Sequence, residues 1–375
     1  MRLAILGNIG GGGYKIGKYL RERGVDVHLY PQMSTGPYDP RWEDQEYRDD
    51  GWVTFLRWDQ MRGLRRCTSK LWLLWHLRSQ GYDALITMEG MTLYAQFTGI
   101  PYLAMATGAD ITFVAPRRDL HGWGLRRAYR KAALVHIGTY NTVEAKRFRL
   151  PHVINLPQLI ETEKYRPAPS SVPRPPVDLV FFNAARLSWP DKGTDKFLRA
   201  FARFTAMGPP AHLYLVEWGD DVARTVALVD ELGLRSRVTF LAPLTKADLV
   251  NYFNMADIVV DQFCDYGPGY AAMEAMACGK PVMMYINSSR FELFYAETPP
   301  IFNCFTEDEI LSQLLAHTDP AKLRDMGQRA REWVLYHLNL GRQMNRLIFH
   351  LETMTGKEAC NRCPRPNISK DGGLL

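Results

Sequence analysis

One carboxylate interrupts the apolar run GPGYAAMEAMACGKPV, residues 267–282. Burying a charge without a partner is costly, so Glu274 must either reach solvent or meet a polar group. The run predicts a helix that begins after Gly267, Pro268 and Gly269, with Glu274 about one turn in. A ligand with vicinal hydroxyls, such as a ribose, would satisfy both carboxylate oxygens. The alternative is a glutamate bonded to neighbouring backbone amides.

A second segment, NAARLSWPDKGTDKFLRAF, residues 183–201, places two of its cations at a turn. Arg186 and Lys192 stand where an apolar strand-like run gives way to a helical one, and Pro190 and Gly193 shape the turn. Two cations at a strand-to-helix turn can hold a diphosphate. The alternative is that both are ordinary surface charges.

A third segment, GNIGGGGYKIGKYL, contains four consecutive glycines: Gly10, Gly11, Gly12 and Gly13. Glycines after a strand let the backbone approach a ligand, and the N-terminus of the following helix favours an anion. The G-x-G-x-x-G fingerprint is absent, and the next strand, VDVHLYP, ends without an acidic residue, so NAD binding is disfavoured. Two interpretations remain, a loop that contacts phosphate or sugar and a flexible turn.

Short apolar runs alternate with amphipathic segments along the chain, which indicates βαβ units and parallel sheets. The sequence predicts an α/β protein with two Rossmann-like domains facing a cleft. The first covers residues 1–165 and is joined by a returning C-terminal helix at about 335–356. A proline-rich linker follows at 166–178, then the second domain at 179–334 and a flexible tail at 357–375.

Composition narrows the class of protein. The 375 residues are 46% hydrophobic and carry a net charge of +6, with no apolar run long enough to span a membrane and no export signal. Six scattered cysteines suit a reducing cytosol, and the C-x-x-C pair Cys360 and Cys363 lacks a second pair for zinc. The basic excess lies in residues 57–78 and 117–149 and would attract phosphates, anionic lipid or nucleic acid, or simply be solvated.

The motifs resemble those of the GT-B retaining glycosyltransferases, above all family 4. The resemblance rests on R186-x5-K192-G193, on VTFLAPLTKADLVNYFNMADIVV (238–260) and on G269-x4-EAMACGKPV (274–282). In the first half, GIPYLAMATGADI (99–111) is similar to the turn of the acceptor domain, which includes Thr107, Gly108 and Asp110.

The resemblance implies a transferase that moves a sugar from a nucleotide-diphosphate-sugar to a hydroxyl acceptor with retention. Arg186 and Lys192 would bind the diphosphate, Glu274 the ribose, and the amides after Gly267 the diphosphate or sugar. Residues near Leu241 and Leu244 would meet the base. The nucleotide-sugar is a co-substrate, no other cofactor is implied, and the chain lacks the D-x-D triplet that binds metal in other transferases.

The sequence departs from the family pattern at two positions. Tyr266, beside Asp265, stands where the family usually has a second glutamate, so contact with the donor sugar must differ. Thr107 stands where the family often has a histidine, and a threonine hydroxyl is no general base near neutral pH. These departures keep two alternatives open, a nucleotide-sugar epimerase of the same fold and a scaffold that binds nucleotide or glycan without turnover.

The acceptor side is marked by LRWDQMRGLRRCTSKLWLLWHLRSQ (56–80), which mixes Arg and Lys with tryptophans. Such a helix suits peripheral contact with an anionic membrane and a lipid-linked acceptor at the inner face. The alternative is a helix that packs Leu71, Leu74 and Trp75 into the first domain. Nucleic-acid binding is not expected because no binding motif appears. A cytoplasmic location is expected.

Overall fold

The computed structural model describes residues 1–32, 51–106, 108, 110–138, 141–265, 267–295 and 297–358. Thr107, Tyr266, Cys360 and Cys363 lie outside these described residues. The chain forms two compact units, Met1–Leu159 with Gly341–Leu375, and Ile160–Leu340. Each unit contains a six-stranded parallel sheet with helices, so the predicted α/β class with two Rossmann-like domains is confirmed.

The first sheet has the order β2-β1-β3-β4-β5-β6. Its strands are β1 (Arg2–Leu6), β2 (Asp26–Tyr30), β3 (Ala84–Met88), β4 (Tyr102–Ala106), β5 (Leu134–Ile137) and β6 (Val153–Ile154). The described helices of this unit are α1 (Gly12–Glu22), α2 (Gly63–Ser79), α3 (Thr92–Ala95), α4 (Leu120–Lys131), α5 (Thr142–Arg147) and the C-terminal helix Leu340–Thr355. All five residues of β3 are buried, as expected for a parallel strand covered on both faces.

Helices α2 to α5 share one hydrophobic core. Leu73 and Leu77 of α2, Leu125 of α4 and Phe148 after α5 belong to a single buried cluster with strand residues such as Leu85. Right-handed crossovers explain this arrangement, because β3, β4 and β5 are added successively on the same side of β1. No helix in the described part of the chain has both the length and the apolar character that a membrane crossing requires.

The second sheet has the order β12-β11-β10-β7-β8-β9. Its strands are β7 (Leu179–Asn183), β8 (Ala211–Val216), β9 (Val238–Leu241), β10 (Ile258–Val260), β11 (Val282–Met284) and β12 (Phe302–Asn303). The described helices are α6 (Trp189–Lys192), α7 (Thr194–Met207), α8 (Val222–Glu231), α9 (Lys246–Met255), α10 (Tyr270–Ala277), α11 (Ser288–Tyr295), α12 (Glu307–Ala316) and α13 (Pro320–His337). Phenylalanines from β7 and α7 fill the core between sheet and helix: Phe181, Phe197, Phe201 and Phe204.

The proline-rich segment at 166–178 is held on the second unit. Ala168 N donates to Asn254 Oδ1 over 3.0 Å, and Ser170 Oγ donates to Asn251 O over 2.9 Å. Arg174 pairs with Asp257 at 2.6 Å. These bonds attach the segment to α9 and the start of β10, so it is part of the second unit rather than a free connector.

The C-terminal helix Leu340–Thr355, labelled α14, belongs to the first unit. Arg346 Nη2 donates to the carbonyl of Asn155 over 3.1 Å. Met344, Leu347 and Leu351 are buried.

Candidate functional site

The second sheet reverses its strand order between β7 and β10. Strands added after β7 lie on one side of it, whereas β10 returns to the other side. At such a switch point the loops that leave the carboxyl ends diverge and leave a crevice in which α/β proteins bind ligands. The loop after β7 carries Arg186 and Lys192, and the loop after β10 leads to Gly269 and α10.

A buried aspartate connects these two loops. Asp261, the residue after β10, is 1% exposed and lies 3.4 Å from Lys192 Nζ through Oδ1. Its other oxygen accepts from the backbone N–H of Gly269 at 2.9 Å. Asp261 therefore places the Lys192 cation beside the N-terminus of α10. The sequence analysis did not single out Asp261, although an acidic residue in the apolar run IVVDQF was the available signal.

Glycine is required at the start of α10. A Cβ at Gly269 would lie 2.9 Å from Asp261 Oδ2, closer than a side chain tolerates. Gly267 has φ of 78°, a left-handed conformation that glycine adopts without steric cost. The predicted Gly267-Pro268-Gly269 turn thus brings the backbone against the Asp261 carboxylate.

Glu274 is fully buried in α10, and Lys246 supplies a cationic partner. Lys246 Nζ lies 2.9 Å from Glu274 Oε1 and 3.2 Å from Oε2. Burial raises the pKa of the nearby Cys278 thiol to about 12, and the Glu274 carboxylate adds to this rise. Glu274 is 0% exposed, so solvent does not meet the charge, and Lys246 is a polar group that does. The sequence analysis missed Lys246, since nothing in the chain marks a contact across 28 residues.

The segment predicted to meet a base leads into this ion pair. Leu241 ends β9, and Leu244 is followed by Thr245, the N-cap of α9, whose hydroxyl accepts from Asp248 N. Lys246 is the first residue of α9. Both leucines are partly exposed, so the same loop presents apolar side chains and delivers the lysine to Glu274.

Arg186 is held within its own loop. Its Nη2 lies 2.6 Å from Asp191 Oδ2, which also accepts from Ser188 Oγ at 3.1 Å. Gly219 packs against the arginine, because a Cβ there would lie 2.7 Å from Arg186 Cγ. Both charged side chains remain about a third exposed, at 39% and 32%, so solvent screens the pair.

Asp265 lies in the loop before α10 and pairs with Arg290 of α11 at 3.6 Å. It is partly exposed, as is Arg290. Its neighbour Tyr266, which stands where the family usually has a second glutamate, lies outside the described residues.

In the first unit, backbone N–H groups of the glycine loop donate hydrogen bonds to acceptors within the loop itself. Gly11 N donates to the carbonyl of Asn8, and Gly12 N donates to that of Ile9. Tyr14 N donates to Asn8 Oδ1 at 2.7 Å. A helix leaves its first N–H groups for capping or ligands, and here several are already bonded. This geometry favours the turn interpretation, and phosphate contact through Gly10–Gly13 stays a prediction.

Asp110 supports the turn predicted for the acceptor. It is 5% exposed, its Oδ1 accepts from Gly108 N at 3.1 Å, and its Oδ2 accepts from the Tyr129 hydroxyl. Desolvation raises the pKa of its carboxyl despite these bonds. Asp110 thereby fixes the backbone at Gly108, beside position 107.

Glu89, at the end of β3, was missed by the sequence analysis. Its φ of 51° is unusual for a residue with a side chain and tends to occur at functional sites. The Glu89 side chain is exposed, but the surrounding protein desolvates its carboxyl group and raises its pKa. The charge of Asp110 raises this pKa further. A carboxylate therefore lies at the same sheet edge as Gly108 and the glycine loop.

Part of the basic excess at 117–149 serves the fold. Arg126 donates to the carbonyls of Ala115 and Arg117, and Arg130 donates to that of Phe148. Arg127 donates to Gln96 Oε1 at 2.6 Å. These side chains tie α4 to neighbouring segments, which explains them without a polyanionic ligand.

Part of the second unit is similar to known proteins. Residues 168–294 match the family model for glycosyl transferases group 1, and this stretch contains Arg186, Lys192 and Glu274. D-inositol 3-phosphate glycosyltransferase of Mycobacterium leprae strain Br4923 is 34% identical over 152 residues, which cover 34% of this chain and 35% of that protein. The same enzyme of Mycobacterium sp. strain KMS is 48% identical over 58 residues, or 16% of this chain and 13% of that protein. The chain thus matches about a third or less of these curated relatives.

Solved structures extend the likeness to the fold of the whole chain. Sucrose-phosphate synthase from Thermosynechococcus elongatus has a TM-score of 0.72 at 17% identity and covers 95% of this chain and 100% of that one. HepE of Anabaena in complex with UDP has a TM-score of 0.70 at 16% identity, with coverage of 94% and 100%. WaaG, a glycosyltransferase involved in lipopolysaccharide biosynthesis, has a TM-score of 0.63 at 16% identity, with coverage of 95% and 100%.

Proposed function

We propose that the protein transfers a sugar from a nucleotide-diphosphate-sugar to a hydroxyl acceptor, with retention of configuration and without a metal ion. The resemblance to GT-B glycosyltransferases, which the group 1 family match and the structural neighbours confirm, supports this proposal. The second unit binds the donor and the first unit binds the acceptor.

One observation carries this proposal. Asp261 places Lys192 beside the N-terminus of α10, within the stretch that matches the family model. Glu274 follows Gly269 by five residues on that helix, which corresponds to a rise of about 7.5 Å. A cation, a helix N-terminus and a buried carboxylate thus lie within reach of one nucleoside diphosphate.

The chemistry follows from the charges. Breaking the bond between sugar and diphosphate develops negative charge on the leaving group, and fixed cations and amides lower that barrier. Lys192 and Arg186 each contact an aspartate, so a diphosphate would compete with Asp261 and Asp191 for them. Two cations supply the stabilisation that a metal ion gives elsewhere. The acceptor proton passes to the leaving diphosphate.

The ribose is assigned to Glu274. Two vicinal hydroxyls would donate to the two carboxylate oxygens that Lys246 contacts. The lysine then either shares the carboxylate with the ribose or turns toward the diphosphate. The UDP bound in the HepE complex supports a nucleoside diphosphate as the ligand class for this fold.

The test is a panel of UDP-, GDP- and ADP-sugars incubated with the full chain, with and without a chelator. Release of nucleoside diphosphate that the chelator leaves unchanged is the expected result. Recovery of an isomerised nucleotide-sugar would instead identify an epimerase, and binding without any change would identify a scaffold. Once an acceptor is found, the anomeric configuration of the product, read by NMR, decides retention.

A further inference from the structure

One face of α2 exposes large apolar side chains to solvent. Leu64, Leu71 and Trp75 are 80%, 65% and 65% exposed, and Trp72 is 46% exposed. With Thr68 they recur at helical spacing, so they form one stripe. The opposite face buries Leu73 and Leu77 completely. The helix does pack into the first domain, through Leu73 and Leu77. The alternative that it packs Leu71, Leu74 and Trp75 there is wrong for Leu71 and Trp75, whereas Leu74 is partly buried.

The same helix is cationic. Residues 63–79 contain Arg65, Arg66, Lys70 and Arg78 and no acidic residue. Within the described ranges, no carboxylate forms an ion pair with Arg62, Arg65 or Arg66. Arg78 bonds to the carbonyls of Phe97 and Thr98, as the arginines of α4 bond to carbonyl groups. Arg62, Arg65 and Arg66 at the start of the helix therefore present the positive charge that no described carboxylate compensates.

An open pocket of about 720 Å³ lies beside the stripe. Its lining combines cations, hydroxyls and an aromatic ring: Arg62, Arg65, Thr68, Ser69 and Trp72, together with Gln60 and Met61. Two guanidinium groups and the Ser69 hydroxyl suit a phosphate, whereas the Thr68 hydroxyl already donates to the carbonyl of Arg65 over 3.0 Å. The Trp72 ring stacks on His76 with centroids 4.7 Å apart, which fixes one wall of the pocket.

We propose that α2 docks the first unit onto an anionic lipid bilayer. Leu64, Leu71 and Trp75 enter the boundary between headgroups and acyl chains, and the pocket between Arg62, Arg65 and Trp72 receives a lipid phosphate. The apolar stripe supplies burial, and the cations supply attraction to the surface potential. This docking does not depend on the proposed transferase activity, since it needs neither donor nor acceptor.

The occupant follows from charge complementarity. A second copy of this chain would bring like-charged helices together, which is unfavourable. A bilayer that contains anionic lipid offers a negative surface and an apolar interior. It therefore matches both the cations of the helix and its apolar stripe.

Vesicle sedimentation of the full chain tests the proposal. The protein is expected to bind vesicles of phosphatidylcholine with about 30% phosphatidylglycerol and to stay in solution with phosphatidylcholine alone. The double variant Leu71→Ser with Trp75→Ser should bind at least about tenfold more weakly. Arg62→Gln and Arg65→Gln should each weaken binding about fivefold, and added salt should do the same.

The matched control replaces two exposed apolar residues of the second unit, Met207→Ser with Leu315→Ser. It should bind the vesicles as the wild type does. Thermal unfolding should be unchanged in all variants because the altered side chains are exposed. The proposal is overturned if the wild type ignores anionic vesicles, or if both double variants bind equally. It is also overturned if light scattering shows a dimer that Leu71→Ser with Trp75→Ser abolishes, since that result makes the stripe a subunit interface.

Discussion

Lys246, the first residue of α9, holds its ammonium group 2.9 Å from the carboxylate of Glu274, which has no solvent-exposed surface. The lysine itself is 14% exposed. The pair joins the first turn of α9 to α10. Both residues lie in the part of the chain that matches glycosyl transferases group 1. A buried carboxylate thus contacts a cation from another helix, and its two oxygens are the acceptors that two ribose hydroxyls would need.

The pair should show strong energetic coupling. Lys246→Met removes the cationic partner of a buried charge and should lower the free energy of unfolding by about 3–5 kcal/mol. Glu274→Gln should cost less, and adding it to Lys246→Met should recover part of the loss. Urea denaturation of the two single variants and the double variant measures this coupling. Additive losses in the double variant would mean that the two side chains do not interact.

Lys192 should matter for turnover, with a measurable effect on stability as well. Lys192→Ala is expected to lower the rate of nucleotide release about 10²–10³-fold, as loss of one donor to a developing anion does elsewhere. The loss of turnover should far exceed the loss of stability, and the loss of stability arises because Asp261, which is 1% exposed, loses its cation. Asp261→Asn in the Lys192→Ala background should restore part of the stability and none of the rate.

Lys196 provides the matched control for Lys192. It lies on α7 and donates to the carbonyls of Phe263 at 3.0 Å and Phe305 at 3.3 Å, away from Asp261. Lys196→Ala should therefore keep most of the rate of nucleotide release. Equal rate losses in both lysine variants, accompanied by equal losses in Tm, would assign Lys192 a structural role.

Two adjacent glycines of the first unit should respond differently to the same change. A Cβ at Gly13 would lie 2.3 Å from the carbonyl oxygen of Gly7, so Gly13→Ala must shift the backbone and should cost at least about 2 kcal/mol. At Gly12 the nearest atom, Met88 Cε, is 3.8 Å away, and Gly12→Ala should stay within about 0.5 kcal/mol. Thermal unfolding measures both. A destabilised Gly12→Ala together with a neutral Gly13→Ala would contradict the loop geometry described above.

His136 should make the first unit sensitive to acid. Burial lowers the pKa of its imidazole from 6.5 to about 4, and its Nδ1 accepts from Leu156 N at 3.1 Å. Since the unfolded chain takes up the proton first, the free energy of unfolding falls as pH drops from 6.5 toward about 4. This group accounts for about 3 kcal/mol of that fall. His136→Asn keeps an acceptor and should flatten the slope between these pH values. The same slope in both proteins would show that other groups cause it.

The strands were largely predictable from the sequence, but the partners of the site residues were not. Apolar runs such as ALIT and IVVDQF mark β3 and β10, because parallel strands bury both faces. The two-residue strand β12 is too short to leave such a pattern. Arg186, Lys192 and Glu274 stood out by type and position, whereas Asp261 and Lys246 act through contacts between distant segments. Nothing local in a sequence encodes such contacts.

The exposure of α2 also lay beyond prediction. The segment LWLLWHL has Leu or Trp on every side of the helix and is therefore only weakly amphipathic. Its sequence does not show which side of the helix packs against the sheet. Only the packing of Leu73 and Leu77 into the core shows that Leu71 and Trp75 point outward.

The central claim is that Glu274 binds the ribose hydroxyls of a nucleoside diphosphate. Isothermal titration calorimetry with UDP, GDP and ADP identifies the base, and the 2′,3′-dideoxy form of the preferred nucleotide then tests the carboxylate. The account predicts that the wild type binds the natural ribose at least about tenfold more tightly, as hydrogen bonds to a charged group require. Glu274→Gln should lose most of this preference. Equal affinity of the wild type for both forms, or the same preference in Glu274→Gln, would contradict the account.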